Sequence, residues 1–477
     1  MHTLLLGIVV ILGLRTGLWW VQLWQIKEYR VDRLRDYFHS EEGRRSMRSL
    51  CFFPGVLPRP EPTLRALLVV LLTGILSLLA YRALSPVWGA LLTALVIERT
   101  LWLWTGIAVA LTGVVKTVQQ RLLFAQVRRL REGAGNLTII AITGSYGKTS
   151  TRAMLAHVLT AHFGQDDVLS PQGNRNTELG IAQWLWQERD YFTRGDKRYL
   201  VVEVGAYQRG EIATVCRFLQ PQIGIITAMS NQHMALFRTQ RNLQLAKAEL
   251  AEGCSDVCFY NGEDVLSAQI LRETNTSATL TPLPTGRMTS IEALLGHTEF
   301  TYDGQHGSLP WPGQQYMLNV RYVLAVCEYL SVPLPEALQA LRSAPQPLQG
   351  LHAEQLTTGA TLLWDTYNAN EQGVLAALQH MELSRGEKVV ILQHLRELGP
   401  EADRVHERIF QKLHAMDATL YWRKELYYPL AKRLLGQRCQ PYDQAVVSAH
   451  LRRLGADDVV FLATNKAPDI EAHVKSH

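Results

Sequence analysis

The chain has 477 residues, enough for two or three compact domains. Its formal net charge of +5 is small for that length, so composition gives no support to nucleic-acid binding. The cysteines (Cys51, Cys216, Cys254, Cys258, Cys327 and Cys439) form no CxxC pair and have no second Cys or His pair beside them, which argues against structural zinc and fits a reducing compartment.

Leu4 to Leu23 is an apolar run interrupted only by Arg15, long enough to cross a hydrocarbon core of ~30 Å. It exceeds a signal-peptide core, lacks a basic amino end and is followed by no A-x-A site, so it reads as a retained anchor. A second span is expected from Leu64 to Leu84 and a third from Val87 to Val115, with Ser85 and Pro86 at the turn between them. The third carries Glu98 and Arg99 near its middle, where an unpaired charge costs about 2.5–3.5 kcal/mol. Pairing of Glu98 inside the helix bundle is therefore expected, with service to a lipid-linked substrate as the other reading.

Basic residues flank these spans. Lys27, Arg30, Arg33, Arg35, Arg44, Arg45 and Arg48 follow the first, and Lys116, Arg121, Arg128, Arg129 and Arg131 follow the third. The positive-inside rule puts both groups, and everything after them, in the cytoplasm of a multi-pass inner-membrane protein.

From Leu137 the pattern changes to short β-branched runs alternating with amphipathic stretches, the mark of a parallel α/β sheet. Strands are expected at Leu137 to Thr143, Tyr199 to Val204 and Ile223 to Thr227, with a helix from Lys148 to His162. Prolines in Ser343 to Gln349 break the periodicity and suggest a change of domain. Beyond it, strands fit Thr361 to Asp365, Lys388 to Leu392, Ala418 to Trp422 and Asp458 to Leu462, as in a second nucleotide-fold domain.

Between the first of these strands and its helix lies Gly144-Ser145-Tyr146-Gly147-Lys148-Thr149-Ser150. Glycines allow the tight turn that aims successive amides and a helix amino end at phosphate oxygens. Lys148 would reach the outer phosphates and the Thr149 hydroxyl would ligate Mg²⁺. Two residues separate the glycines here, where the usual phosphate loop has four.

This short loop resembles that of the Mur ligases and folylpolyglutamate synthetases. Further segments resemble the D-alanyl-D-alanine-adding branch in order: Gly173-Asn174-Arg175-Asn176-Thr177-Glu178-Leu179-Gly180, Glu203-Val204-Gly205-Ala206 with Gly210-Glu211-Ile212, Asn231-Gln232-His233, and Leu245-Ala246-Lys247-Ala248-Glu249. Asp365-Thr366-Tyr367-Asn368-Ala369-Asn370 is similar to that branch's DSYNANP, and Glu397-Leu398-Gly399 with His406 to its ELG…H stretch. The likeness runs from about Leu137 to His406.

The apolar runs and the resemblance together imply an α/β fold with N-terminal transmembrane helices, a central P-loop-type parallel-sheet ATPase domain and a C-terminal Rossmann-like domain. Its divisions would be a membrane region over 1–115, a basic juxtamembrane linker over 116–136, and the two ligase domains over 137–346 and 347–477. The resemblance implies an ATP-dependent, ADP-forming C–N ligase of peptidoglycan precursor synthesis. The cofactors would be ATP and two Mg²⁺ ions.

Glu203, at a strand end where open α/β sheets place ligands, would bind metal together with Thr149, His233 and Lys247, the lysine carrying a carbamate. Asn319 would contact adenine. Asp365 would reach nucleotide, and Asn174, Asn176, Thr177, Tyr367, Asn368 and Asn370 would contact the muramoyl peptide and the incoming D-amino-acid dipeptide. Lys148, Glu203, His233, Lys247 and Asp365 would carry the chemistry: the carboxylate attacks the γ-phosphate, and the amine then displaces phosphate from the acyl phosphate.

Some departures keep alternatives open. Gln349-Gly350-Leu351-His352 lacks the family's arginine, and the LGxMxELG phrase reads Leu392-Gln393-His394-Leu395-Arg396-Glu397-Leu398-Gly399. Ala463-Thr464-Asn465-Lys466 replaces a KGS-type loop. Membrane spans stand where soluble relatives hold the UDP-sugar. A ligase for another amino acid, one for a lipid-linked precursor, and a weakened nucleotide-binding scaffold are the competing readings.

Overall fold

The computed structural model describes residues 2–27, 29–39, 60–173, 175–193, 198–206, 208–229, 240–346, 350–365, 371–395, 402–463 and 474–475. Two compact units divide at Phe124 and Ala125.

The first unit is helical: α1 (His2–Ile26), α2 (Val31–His39), α3 (Leu64–Trp88), α4 (Ala90–Arg99) and the start of α5 (Leu101–Gly133). Leu4–Ile26, Leu64–Trp88 and Leu101–Gly133 are long and apolar enough to cross a membrane. Side chains from three of these helices close its inner packing, with Val21 and Trp24 meeting Ala66 and Val69 and both pairs meeting Ala108 and Val109.

The turn expected at Ser85 and Pro86 lies elsewhere. Helix α3 runs through Pro86 to Trp88 and ends at Gly89, whose φ is +79° and whose amide donates to Ser85 O at 2.9 Å. Proline near a helix end forfeits a single hydrogen bond, whereas a positive φ calls for glycine. The third apolar stretch is also interrupted, at Thr100 between α4 and α5. Thr100 Oγ1 donates to Val96 O at 2.8 Å and accepts from Trp104 Nε1 at 3.0 Å, which bridges the break. Glu98 is paired within the bundle: it accepts from Thr16 Oγ1 at 3.0 Å and lies 3.0 Å from Arg99 Nε.

The second unit holds two parallel sheets. The first has the order β2-β3-β1-β4-β5-β6, from β1 (Leu137–Thr143), β2 (Val168–Leu169), β3 (Arg198–Glu203), β4 (Ile223–Ile226), β5 (Val257–Tyr260) and β6 (Thr279–Pro282). Its middle strands are rich in Ile, Leu and Val because both faces are covered, and β3 and β4 are buried throughout. Around it lie α6 (Lys148–Phe163), α7 (Glu178–Gln187), α8 (Glu211–Leu219), α9 (Gln240–Gly253) and α10 (Val265–Arg272).

An antiparallel sheet follows, β7 (Met288–Ala293), β8 (Thr298–Tyr302) and β9 (Gln305–Leu309), before α11 (Met317–Tyr329) and α12 (Leu334–Leu341). The last sheet has the order β10-β11-β15-β12-β13-β14, parallel except for the β10–β11 pair. Its strands are β10 (His352–Gln355), β11 (Thr361–Trp364), β12 (Lys388–Leu392), β13 (Thr419–Trp422), β14 (Cys439–Pro441) and β15 (Val459–Ala463). Helices α13 (Glu371–Met381), α14 (Ala402–Ala415), α15 (Tyr428–Leu435) and α16 (Gln444–Leu451) connect them.

The two sheets meet through the β7–β8 hairpin. Leu295, at its tip, packs against the core of the last sheet, and His380 of α13 donates from Nε2 to Leu295 O at 3.2 Å.

Candidate active site

Neighbouring strand ends form the floor of the site. Register pairs Ile142 with Glu203 and Thr143 with Ile226, so the loop after β1, the last carboxylate of β3 and the turn after β4 emerge side by side.

The loop from Gly144 to Gly147 lies over that edge. At Gly144 φ is +147° and an added Cβ would sit 2.1 Å from Thr227 Oγ1; at Gly147 φ is +81° and a Cβ would sit 2.8 Å from Asn319 Oδ1. Neither position admits a side chain. Thr227 Oγ1 donates to Tyr146 O at 2.6 Å and Ser145 N donates to Ala228 O at 2.8 Å, fixing the loop to the end of β4. Gly147 starts α6 with no side-chain cap, so the first-turn amides present an anion-binding helix end. Tyr146 projects outward and is half exposed, with only its backbone engaged.

Lys148 folds back over the loop, donating from Nζ to Gly144 O at 2.8 Å and Ser145 O at 3.3 Å. Burial pushes its pKa down, and the Glu203 charge opposes that shift. Glu203 is 4% exposed, and both of its oxygens are engaged: one accepts from Thr149 Oγ1 at 2.7 Å, the other from Asn176 Nδ2 at 3.0 Å. Lys247, on α9, is likewise 4% exposed. Its pKa is pushed down to about 7 by burial and by the Lys148 charge, against the pull of Glu203, Glu211 and Glu249.

Asn319, at the start of α11, donates from Nδ2 to Gly147 O at 3.4 Å. Asp365 follows β11, its amide donating to Leu462 O at 3.0 Å. The phenol of Tyr316, just before α11, is pushed up to about 12 by burial first and, among smaller contributions, by the Asp365 charge. Ser150 lies in the first turn of α6. Thr177 caps α7, accepting from Gly180 N at 3.2 Å. Asn174, His233, Tyr367, Asn368 and Asn370 lie outside the described residues.

Sequence reasoning missed Arg152, Thr227 and Glu249. Glu249 accepts from Gly210 N at 2.7 Å and Ala213 N at 3.0 Å, so α9 caps the start of α8. Arg152 is buried and donates from one guanidinium nitrogen to Ser170 Oγ at 3.1 Å and to Pro171 O. Only Glu249 carried a signal, standing two residues after Lys247 in a motif already singled out.

The Thr149 hydroxyl and Glu203 carboxylate are hard oxygen donors held together, as Mg²⁺ requires. Among the described residues no group of three or more His, Cys, Asp or Glu could hold a metal.

The Gly144–Gly147 loop, the Glu203 carboxylate and the buried Lys247 lie together at one sheet edge. Residues 142–326 match the Mur ligase middle domain, and the chain has the mixed α/β Mur ligase fold. The UDP-N-acetylmuramoyl-tripeptide–D-alanyl-D-alanine ligase of Treponema pallidum is 28% identical over 284 residues, 58% of this chain and 60% of its own. That of Mycobacterium tuberculosis strain H37Rv is 31% identical over 307 residues, 60% of this chain and 58% of its own. The chain therefore spans about 60% of the length of the curated relatives it matches.

Among solved structures, MurF from Acinetobacter baumannii aligns with a TM-score of 0.62 at 23% identity, covering 75% of this chain and 81% of that one. The MurF ligase of Thermotoga maritima in complex with ADP aligns with a TM-score of 0.57 at 20% identity, covering 74% and 83%.

Proposed function

We propose that the chain is an ATP-dependent, ADP-forming C–N ligase of peptidoglycan precursor synthesis that joins D-alanyl-D-alanine to a muramoyl tripeptide. One observation carries the reading: Lys148, the Thr149–Glu203 pair and the buried Lys247 converge on the phosphate loop of a Mur ligase middle domain. The working division is a membrane region over 1–115, a basic linker over 116–136, and ligase domains over 137–346 and 347–477.

The loop amides and Lys148 would hold the phosphates in line for attack by the substrate carboxylate. Mg²⁺ held by Thr149 and Glu203, with His233 and a carbamate on Lys247 as further ligands, would neutralise phosphate charge. Lys247 suits carbamylation because its displaced pKa leaves much of the amine neutral near pH 7. Asn319 would contact adenine, and Asn174 and Asn176 the muramoyl peptide. Asp365, Tyr367, Asn368 and Asn370 would bring nucleotide and amine together from the C-terminal side. The amine then attacks the acyl phosphate and phosphate leaves as the amide forms, in a cleft that must exclude water.

The three apolar helices favour an anchored enzyme, with its catalytic part on the cytoplasmic face of a bacterial inner membrane. They also favour a second reading of the acceptor, a lipid-linked precursor approached along the bilayer.

The full chain in detergent should release phosphate from ATP only when precursor and dipeptide are both present, and Lys148→Ala should abolish release. Failure to bind Mg-nucleotide would end the ligase reading. A preference for another amine would move it to a different branch of the family. Equal or better turnover of a UDP-linked than a lipid-linked precursor would end the second reading.

A further inference from the structure

The segment before α7 carries Asn176 and Thr177, and it is strung between two charged groups of the phosphate-loop layer. Its far end is tied to β3: Asn176 Nδ2 donates to Glu203 Oε1 at 3.0 Å, and Gly205 N donates to Asn176 O at 2.7 Å. Its near end is tied to α6, where Arg152 donates to Ser170 Oγ at 3.1 Å and to Pro171 O. Arg152 stands three residues after Thr149, about one helical turn, so the helix that opens with Lys148 and Thr149 also grips this segment.

Burying a guanidinium is costly unless its donors and charge are matched. Arg152 is 8% exposed, and the matching comes from the Ser170 hydroxyl, the Pro171 carbonyl and the nearby Glu203 charge. An apolar side chain would fill the same space more cheaply. Two N–H bonds from one planar guanidinium nitrogen, to a side-chain oxygen and a backbone oxygen, instead set position and orientation.

We propose that Arg152 is a positioning residue that locks the Ser170–Pro171 strand exit to α6, and so places Asn176 and Thr177 for the carboxylate-bearing substrate. It would act on the precursor and not on the nucleotide. The kinetic part of this inference rests on the ligase reading; the positional part does not.

The test uses the full chain in detergent, comparing wild type with Arg152→Met, Arg152→Lys and Ser170→Ala. By hydrogen exchange in the absence of substrates, Arg152→Met should speed exchange of peptides covering Val168 to Thr177 by about tenfold, with β1 unchanged. In turnover it should raise KM for the tripeptide precursor by about tenfold to a hundredfold, with KM for ATP and kcat within about threefold. Arg152→Lys should restore part of both effects, and Ser170→Ala should shift both in the Met direction by less. If Arg152→Met does not fold, the Lys and Ser170→Ala variants decide by the same two readings.

Unchanged exchange over Val168 to Thr177, or ATP and precursor constants moving together without rescue by lysine, would overturn the role. If the wild type shows no turnover, the ligase reading fails while the exchange result still decides whether Arg152 sets this segment.

Discussion

The Thr149 hydroxyl and the Glu203 carboxylate, 54 residues apart in sequence, are hydrogen bonded at 2.7 Å across the ends of β1 and β3. Glu203→Gln keeps the size and an acceptor oxygen but removes the charge. Turnover should fall by about a hundredfold to a thousandfold. The melting temperature should also fall, since the buried Lys148, Arg152 and Lys247 lose the carboxylate whose charge offsets their burial. Phosphate-release assays and thermal unfolding check this together, and a Glu203→Gln enzyme with full activity would remove the carboxylate from the reaction.

Gly147→Ala meets two obstacles at once, a φ of +81° and a Cβ 2.8 Å from Asn319 Oδ1. Backbone strain of this kind costs about 1–3 kcal/mol and is concentrated in the loop. Nucleotide affinity should drop by about tenfold or more, read by titration with a fluorescent nucleotide. The rest of the fold should be unaffected in far-ultraviolet circular dichroism.

Lys247 is buried at a cost. Its folded pKa of about 7 lies below the ordinary lysine value of about 10.4, so between these values the unfolded chain binds the extra proton. Its contribution to stability therefore rises with pH across that window, and the full penalty stands below about pH 7. Lys247→Met should raise the melting temperature at pH 6.5 and abolish turnover. A lower melting temperature in that variant would show that the charge is stabilised by its carboxylate neighbours. Wild-type activity should fall on removal of bicarbonate and recover on its return, if the amine is carbamylated.

His406 is buried between two backbone groups: Nδ1 donates to Ala402 O at 2.7 Å and Nε2 accepts from Leu395 N at 3.0 Å. Acceptance at Nε2 requires the neutral ring, and burial pushes its pKa down. Because the unfolded chain takes up the proton first, stability is intact above about pH 6.5 and is lost as pH falls below it. His406→Ala should destabilise by about 1–3 kcal/mol through the stranded Leu395 amide. It should also flatten the decline in melting temperature between pH 6.5 and 5.

The fold was legible where burial is uniform. Leu137 to Thr143 and Lys388 to Leu392 read as strands to the residue, because both faces of each are covered and the apolar run has sharp ends. The β7 strand was not legible: Met288–Ala293 is mostly exposed and polar, so no alternation marks it. The third apolar stretch was found, but its bounding turn was assigned to Pro86 although Gly89 alone has the required φ. In the site, Lys148, Thr149, Glu203, Asn176, Lys247 and Asn319 announced themselves through ordered motifs. Arg152 and Thr227 did not, because an arginine or a threonine acquires its role only from partners distant in sequence, and Glu249 stood in a quoted motif without its capping role being read.

The hairpin tip that packs against the last sheet's core sets a kinematic condition on the two sheets. Leu295 is gripped by apolar packing and by His380 Nε2 at 3.2 Å. Sliding the two sheets past each other would tear out this peg, whereas swinging one about it would leave it seated. Any relative movement of the two sheets that keeps this contact is a rotation about Leu295, with the largest travel farthest from it.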